Sequence, residues 1–190
     1  KNSYIHLIEE HIGLNDNLYT STLKINIKAL DNSEIFYQKI KFENIDKSEH
    51  KIETSISQEK NSKFTNTLFS KEVKSYKENL HIKLEGEGSS YNNKSITLLR
   101  DQQDVTNKIC IEHLSPGCVS QVLAKSIIDD NATNNFDCRV IAHPNATKTE
   151  THVTNKNLLL SKKATANTAP ELEIYVDDVI CTHGATVGQL

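Results

Sequence analysis

The chain has 190 residues, 22 Lys and Arg against 25 Asp and Glu, a net charge of −3 and no methionine. That size holds one sizeable core, and the near-balanced charge without like-charge blocks offers nothing to nucleic acid or an anionic membrane surface. No apolar run reaches the roughly 18–20 residues needed to span a bilayer, and no basic-then-apolar leader is present. A natural reading frame begins with methionine and this chain begins with Lys1, so the expectation is a piece of a longer protein, folded as one domain over residues 1–190.

Short runs rich in Ile, Val, Thr and Leu follow one another: 4–12, 20–29, 34–42, 51–57, 64–69, 80–84, 95–99 and 109–113, then 119–128, 136–143, 148–153, 157–160 and 172–176. Between them, Asn15-Asp16-Asn17, Asp31-Asn32-Ser33, Asn92-Asn93, Asp129-Asp130-Asn131, Asn134-Asn135 and Pro144-Asn145 predict turns, because Asn and Asp tolerate left-handed conformations and bond their own backbone. Residues 60–79 are the most polar stretch and predict a partial loop; residues 85–90, with Gly86 and Gly88, predict a turn. Short strands at a spacing of about 8–12 residues point to an all-β sandwich, barrel or β-helix. Six glycines, three prolines and no Asn-Gly or Asp-Gly are poor material for two-residue hairpins, which favours stacked coils with Asn-bearing corners, although no strict repeat is visible.

The chemistry concentrates at the tail. Leu172, Ile174 and Val176 alternate with Glu173, Tyr175 and Asp177 in the period of a half-buried strand. Asp177-Asp178 interrupts it, after which Val179, Cys181 and His183 share a parity. If that second run is extended, thiol and imidazole face one side and suit zinc or iron–sulfur chemistry, with the other ligands coming from elsewhere; otherwise they are a buried Cys beside a hydrogen-bonded His. Asp177 and Asp178 are either paired carboxylates supporting His183 or a solvated turn. Gly184 is expected to permit a tight bend after His183.

Other candidates are weaker. On the run containing Cys110, Glu112 and His113, the histidine faces away from the thiol and reads as packing unless a neighbour supplies a carboxylate. Cys110, Cys118, Cys138 and Cys181 are widely spaced, without CxxC, and read as reduced thiols. Gly184-Ala-Thr-Val-Gly188 lacks the Gly-Lys-Ser/Thr of a phosphate loop. No Gly-x-Ser-x-Gly elbow occurs, and His6, His11, His50, His81, His143 and His152 have no evident nucleophile partner.

Glu171-Leu-Glu-Ile-Tyr-Val-Asp-Asp-Val-Ile-Cys-Thr-His-Gly-Ala-Thr-Val-Gly188 resembles the Asp-Asp-Val-x-Cys-x-His-Gly-Ala-Thr-Val-Gly block of the SufB/SufD family, in its SufD branch, which serves the SUF iron–sulfur cluster assembly system. Lys148-Thr149, residues 154–161, Ile111-Glu112-His113, residues 84–88 and residues 8–16 fall in the family's order, so the resemblance covers essentially the whole chain. It implies a right-handed parallel β-helix core without the family's flanking helical segments. It also implies a non-enzymatic scaffold that forms one side of a nascent-cluster site with SufB, in a complex driven by the ATPase SufC. The cargo it implies is a transient iron–sulfur cluster or iron, absent from the isolated fragment. By the same resemblance Cys181 and His183 are the cluster-assembly residues, supported by Asp177, Asp178 and Gly184, with His113 more remote. The family works in the bacterial cytoplasm or in plastid or apicoplast stroma, and the isolated core is expected to homodimerise in place of pairing with SufB. Two features depart: Asn135-Phe-Asp-Cys138 replaces the family's Val-Phe-Asn-Gly, and the chain stops at Leu190 before the family's helical ATPase-docking segment. The alternatives are a SufB-like paralogue, whose tail carries a Glu-His-Glu motif instead, and a β-helix polysaccharide-active enzyme.

Overall fold

Every strand of the chain carries side chains that alternate between two sides, and the fold follows from giving one of those sides an interior. The computed structural model describes residues 2–12, 17–42, 48–71 and 73–190. Thirteen strands run in chain order: β1 (Ser3–Ile12), β2 (Tyr19–Ala29), β3 (Ser33–Phe42), β4 (Ser48–Gln58), β5 (Lys63–Lys71), β6 (Ser75–Leu84) and β7 (Ser90–Leu99). They continue as β8 (Asp104–His113), β9 (Val119–Ile128), β10 (Thr133–Ala142), β11 (Glu150–Leu159), β12 (Thr165–Ile174) and β13 (Ile180–Gln189). The described residues contain no helix.

Odd-numbered strands form one sheet, β1-β3-β5-β7-β9-β11-β13, and even-numbered strands the other, β12-β10-β8-β6-β4-β2. Every pairing is parallel and joins strands two apart in the chain. Each turn of the chain therefore lays one strand on each sheet, giving a parallel β-solenoid of about six turns. The chain advances by 26 residues from Glu49 to its partner Ser75 and by 32 from Thr133 to Thr165. That variation hides the repeat in the sequence, although the spatial repeat is unbroken.

The corners explain the scattered Asn, Asp and Gly. Asn32, Asn61, Gly88, Gly117, Lys148 and Asp178, each between an even strand and the next odd one, have positive φ between 52° and 69°. The first five stack one above another: the N–H of Asn32 donates to Lys60 O (2.9 Å), Asn61 to Glu87 O (2.9 Å), Gly88 to Pro116 O (3.0 Å), Gly117 to Thr147 O (2.9 Å) and Lys148 to Asp178 O (2.7 Å). A left-handed residue reverses the chain in few residues, and only Gly, Asn or Asp does so at little cost. Gly86 serves differently: a Cβ there would lie 2.0 Å from the backbone nitrogen of Lys60, so adjacent turns could not approach.

Some expected boundaries differ. Asn92-Asn93 and Asn134-Asn135 lie inside β7 and β10, not in turns, with Asn93 and Asn134 buried. Asn66 Nδ2 donates to Asn93 Oδ1 at 2.7 Å, and Asn134 Nδ2 to Asn157 Oδ1 at 3.3 Å; stacked turns let buried amides satisfy one another. Most of the expected loop at 60–79 is β5 and β6, and the runs expected at 148–153 and 157–160 merge into the single strand β11, with Lys148 and Thr149 in the corner before it and Leu160 just past it. Asn15 and Asp16 lie outside the described residues.

The interior holds two apolar clusters, one around Tyr37, Phe64, Ile82, Tyr91, Ile111 and Val140, the other around Ile52, Tyr76, Val105 and Ile128. It also buries Lys39, Lys41 and Glu78. Lys39 pairs with Glu78, Tyr76 donates its hydroxyl to the same carboxylate, and Thr54 Oγ1 adds a bond of 3.1 Å. The Lys41 ammonium sits 3.6 Å from the centre of the Tyr76 ring. Burial alone would raise the Glu78 pKa, but the charges of Lys39 and Lys41 and the hydrogen bonds from Lys39 and Tyr76 hold it down at about 2.

Removing that carboxylate leaves a buried ammonium uncompensated, so Glu78→Gln is expected to cost about 3–5 kcal/mol, lowering the melting temperature by roughly 6–20 °C. Because the folded pKa lies below the ordinary 4.5, the stabilisation is full above pH 4.5 and fades as pH falls toward 2. Thermal melts of both proteins from pH 7 to 2 check this; a Glu78→Gln protein as stable as the original at pH 7 would exclude the network as a stabilising element.

Candidate functional site

The last strand has one neighbour in its sheet. β13 pairs with β11, placing Cys181 beside Thr151 and His183 beside Val153. Thr151 and Val153 are buried inward-facing residues, so Cys181 and His183 occupy the inner parity of β13, as the sequence spacing required. Among the described residues no further strand lies over this turn. Cys181 is accordingly only half-buried and His183 is exposed. Within residues 1–190 the inner face of the last described turn therefore presents a thiol and an imidazole side by side.

The corner before β13 sets that placement. Tyr175 N–H donates to Ala142 O (2.9 Å) and Ile180 N–H to Thr149 O (2.9 Å), fixing the two sides of the turn. Asp178, at φ 61°, continues the corner column, and its carbonyl accepts from Lys148. Asp177 and Asp178 are exposed, and among the described residues neither carboxylate is bonded to His183. Gly184 corrects an expectation: it is an ordinary position within β13 opposite Thr154, with no positive φ and open space where a Cβ would be. The ladder simply continues past His183, so no bend is required.

His113 lies two turns below this end, fully buried on the inner side of β8 while Cys110 and Glu112 point outward. Its Nε2 is 2.9 Å from Ser120 Oγ, and Ser120 Oγ is 2.7 Å from Thr151 Oγ1. Thr151 is in turn the register partner of Cys181, so an interior polar line runs from His113 to the strand that flanks the thiol. Burial pushes the His113 pKa down to about 4, which leaves its imidazole neutral at pH 7.

All four cysteines are free thiols. Burial pushes Cys181 above its ordinary pKa, as it does Cys110 and Cys118, and Cys138 to about 12. A thiolate at Cys181 therefore needs a cation or a base brought to it. Among the described residues no three His, Cys, Asp or Glu side chains are grouped to hold a metal ion. Cys181 and His183 can contribute at most two positions to a coordination shell, with the rest from another molecule.

One cluster escaped the linear reading. Glu112 bridges two histidines on neighbouring turns, with His81 Nε2 2.7 Å from Oε1 and His143 Nε2 2.8 Å from Oε2. Burial raises the Glu112 pKa, but the hydrogen bonds with His81 and His143 outweigh it and the net shift is downward. The signal was a constant spacing, since 81 to 112 and 112 to 143 are each 31 residues, one 29-residue turn of the coil plus the two that return to the same side of the strand. Without the period in hand these are three unrelated residues.

Residues 1–190 match the family model described as "SUF system FeS cluster assembly, SufBD core domain". The chain is 31% identical to iron–sulfur cluster assembly protein SufD of Escherichia coli over 97% of its own length and 43% of the relative's. It is 27% identical over its whole length to SufD of Plasmodium falciparum, covering 13% of that protein, and 26% identical over 98% of its length to the chloroplastic protein ABCI7 of Arabidopsis thaliana, covering 39%. It thus spans less than half the length of each of these relatives.

Exposure predicts an order of thiol reactivity. With iodoacetamide near neutral pH, Cys181 and Cys110 are expected to be alkylated in the folded protein, faster as pH rises, while Cys118 and Cys138 react only on unfolding. Time-resolved peptide mass spectrometry reads this order directly, and labelling of Cys138 ahead of Cys181 would contradict it.

Proposed function

The chain belongs to the SufBD core family of the SUF iron–sulfur cluster assembly system, and from that premise we propose that it is a scaffold forming one side of a nascent-cluster site. The observation that carries this reading is the shared inner parity of Cys181 and His183 on β13, held in register by Thr151 and Val153 of β11. The other side would be SufB, in a complex whose ATP hydrolysis resides on SufC, and the cluster would be cargo in transit. Under this reading the chain's own role is positional. β11 holds Cys181 and His183 in register, the corner at Asp177-Asp178 sets where β13 begins, and covering the end would exclude water from the thiol. A SufD-type role rather than a SufB-like one is supported by the names of the relatives in Escherichia coli and Plasmodium falciparum.

The same relatives support a bacterial cytoplasm or a plastid as the compartment. No helix among the described residues is long and apolar enough to cross a membrane. An uncovered strand edge is a template for pairing, so the isolated 190-residue chain is expected to form a homodimer through β13 at tens of micromolar; a monomer by light scattering would remove that part of the proposal.

The main test is the iron and acid-labile sulfide content of the SufB–SufC–SufD complex, purified anaerobically with the longer natural protein or its His183→Ala variant at matched stoichiometry. At least a roughly tenfold loss of cluster with an intact complex is expected if His183 helps to hold the cargo. Unchanged iron and sulfide would make His183 structural and place the chemistry on the partner.

A further inference from the structure

The two sheets present different outer faces. On the even-numbered sheet the outward side chains are mostly polar and none of the large apolar ones is exposed on the inner turns: Arg139 pairs with Glu173, His81 and His143 share Glu112, and Lys51 and Lys77 are direct register partners. On the odd-numbered sheet the outward positions of β5, β7 and β9 include no carboxylate. Phe69, Ile96 and Ile127 stand there 39%, 49% and 40% exposed, with Leu98, Leu123 and Leu158 half-buried beside them. Among the described residues, apart from Phe42 on β3 of the same face, every other exposed large apolar side chain lies on the first or last described turn or in a connection.

Lysines border this apolar lane. Lys125 and Lys156 are direct register partners on β9 and β11, and Ile96, opposite Lys125, is two residues from Lys94. Among the described residues none of these three lysines has a carboxylate partner. Like charges directly opposite on neighbouring strands, about 4.8 Å apart, are destabilising. The isolated fold therefore carries an uncompensated cost at the position where the lane is most exposed. A groove of about 340 Å³, lined by Thr67, Phe69, Lys94, Ile96, Leu123 and Lys125 among others, runs through the same patch.

We propose that this outer face docks an acidic amphipathic α-helix of a partner protein, laid across the strands, with its apolar side on Phe69, Ile96, Leu98, Ile127 and Leu158 and its carboxylates on Lys94, Lys125 and Lys156. Charge complementarity selects the flanks of the helix. Spacing selects its direction: Leu98, Ile127 and Leu158 are register neighbours on β7, β9 and β11, stepping about 4.8 Å per strand, close to the 5.4 Å pitch on which helix anchors at i, i+3/i+4 and i+7 recur. An added β-strand is excluded because this is the face of a sheet, not its edge. A concave lane with lysines set along it fits a helix better than a lipid surface, which a chain of net charge −3 would approach with little attraction. The docking face is on the outer side of the sheet, whereas Cys181 and His183 take the inner parity of β13.

The probe is a fluorescein-labelled peptide of about 18 residues, with Leu at i, i+3/i+4 and i+7 spacing and Glu on both flanks, titrated with the 190-residue chain by anisotropy at low and high salt. Controls are its scrambled isomer, the same peptide with Lys for Glu, and phosphatidylglycerol vesicles. Salt-sensitive binding is expected, weakened at least ~10-fold by Lys125→Glu/Lys156→Glu and by Phe69→Ser/Ile96→Ser, and unchanged by Lys51→Glu/Lys77→Glu on the opposite sheet. Lys156→Glu alone is expected to raise the melting temperature at low salt, since it turns a like-charge pair into an opposite pair. Equal binding of the scrambled peptide, vesicle binding without peptide binding, dimerisation lost on Ile96→Ser, or Lys156→Glu leaving both affinity and melting unchanged would each overturn the assignment.

Discussion

The whole molecule depends on in-register parallel stacking of one turn on the next. Each strand satisfies its backbone through the turns before and after it, and this fixes which alternate side chains face inward. A one-residue slip at any level would send an entire inner set to solvent and expose, among others, Tyr91, Ile111 and Val153. The left-handed corner residues hold that register, since each reverses the chain at the same height and bonds its neighbour in the column. Lys148 sits in that column without the conformational freedom of Gly or Asn, so the requirement there comes from the stack and not from local preference.

Stacking also explains why charge and amide groups survive inside. A residue in this interior always has a counterpart one turn away, at strand spacing, so polar groups can be satisfied as ladders. Asn66 with Asn93, Ser126 with Asn157, and Ser120 with Thr151 are such pairs. Lys39 and Glu78 extend the principle to full charges across the two sheets. Burying these groups singly would be costly; as partners they specify which turns belong next to which.

The last described turn and the two outer faces of the solenoid carry different chemistry. On the last described turn Cys181 and His183 keep the interior parity that β11 imposes, the thiol half-buried and the imidazole exposed within residues 1–190. On the sides the constraint is silent about outward residues, so their pattern reports selection for something else. Both sides carry charge, and only the odd-numbered one adds an exposed apolar lane beside its lysines. The even-numbered side is what a solvated surface looks like, and the odd-numbered side is what a covered surface looks like when its cover is missing.

Much was legible in the linear chain. Period-two alternation found most of the strands, the Asn and Asp clusters at 31–33 and 129–131 marked true corners, and the shared parity of Cys181 and His183 followed from counting once β13 was extended. The all-β class and the preference for stacked coils over hairpins followed from local chemistry. What the chain could not state was which residues meet across a turn whose length drifts between 26 and 32. Hence Asn93 and Asn134 read as turn residues although they are buried ladder members, Gly184 read as a bend although the strand runs through it, and the Glu112 bridge between His81 and His143 went unseen. Local backbone preference and side-chain alternation are properties of neighbours in sequence, and the amino-acid order determined those. Contacts between residues some thirty apart depend on the height of each corner in the stack, and only the tertiary structure decided them.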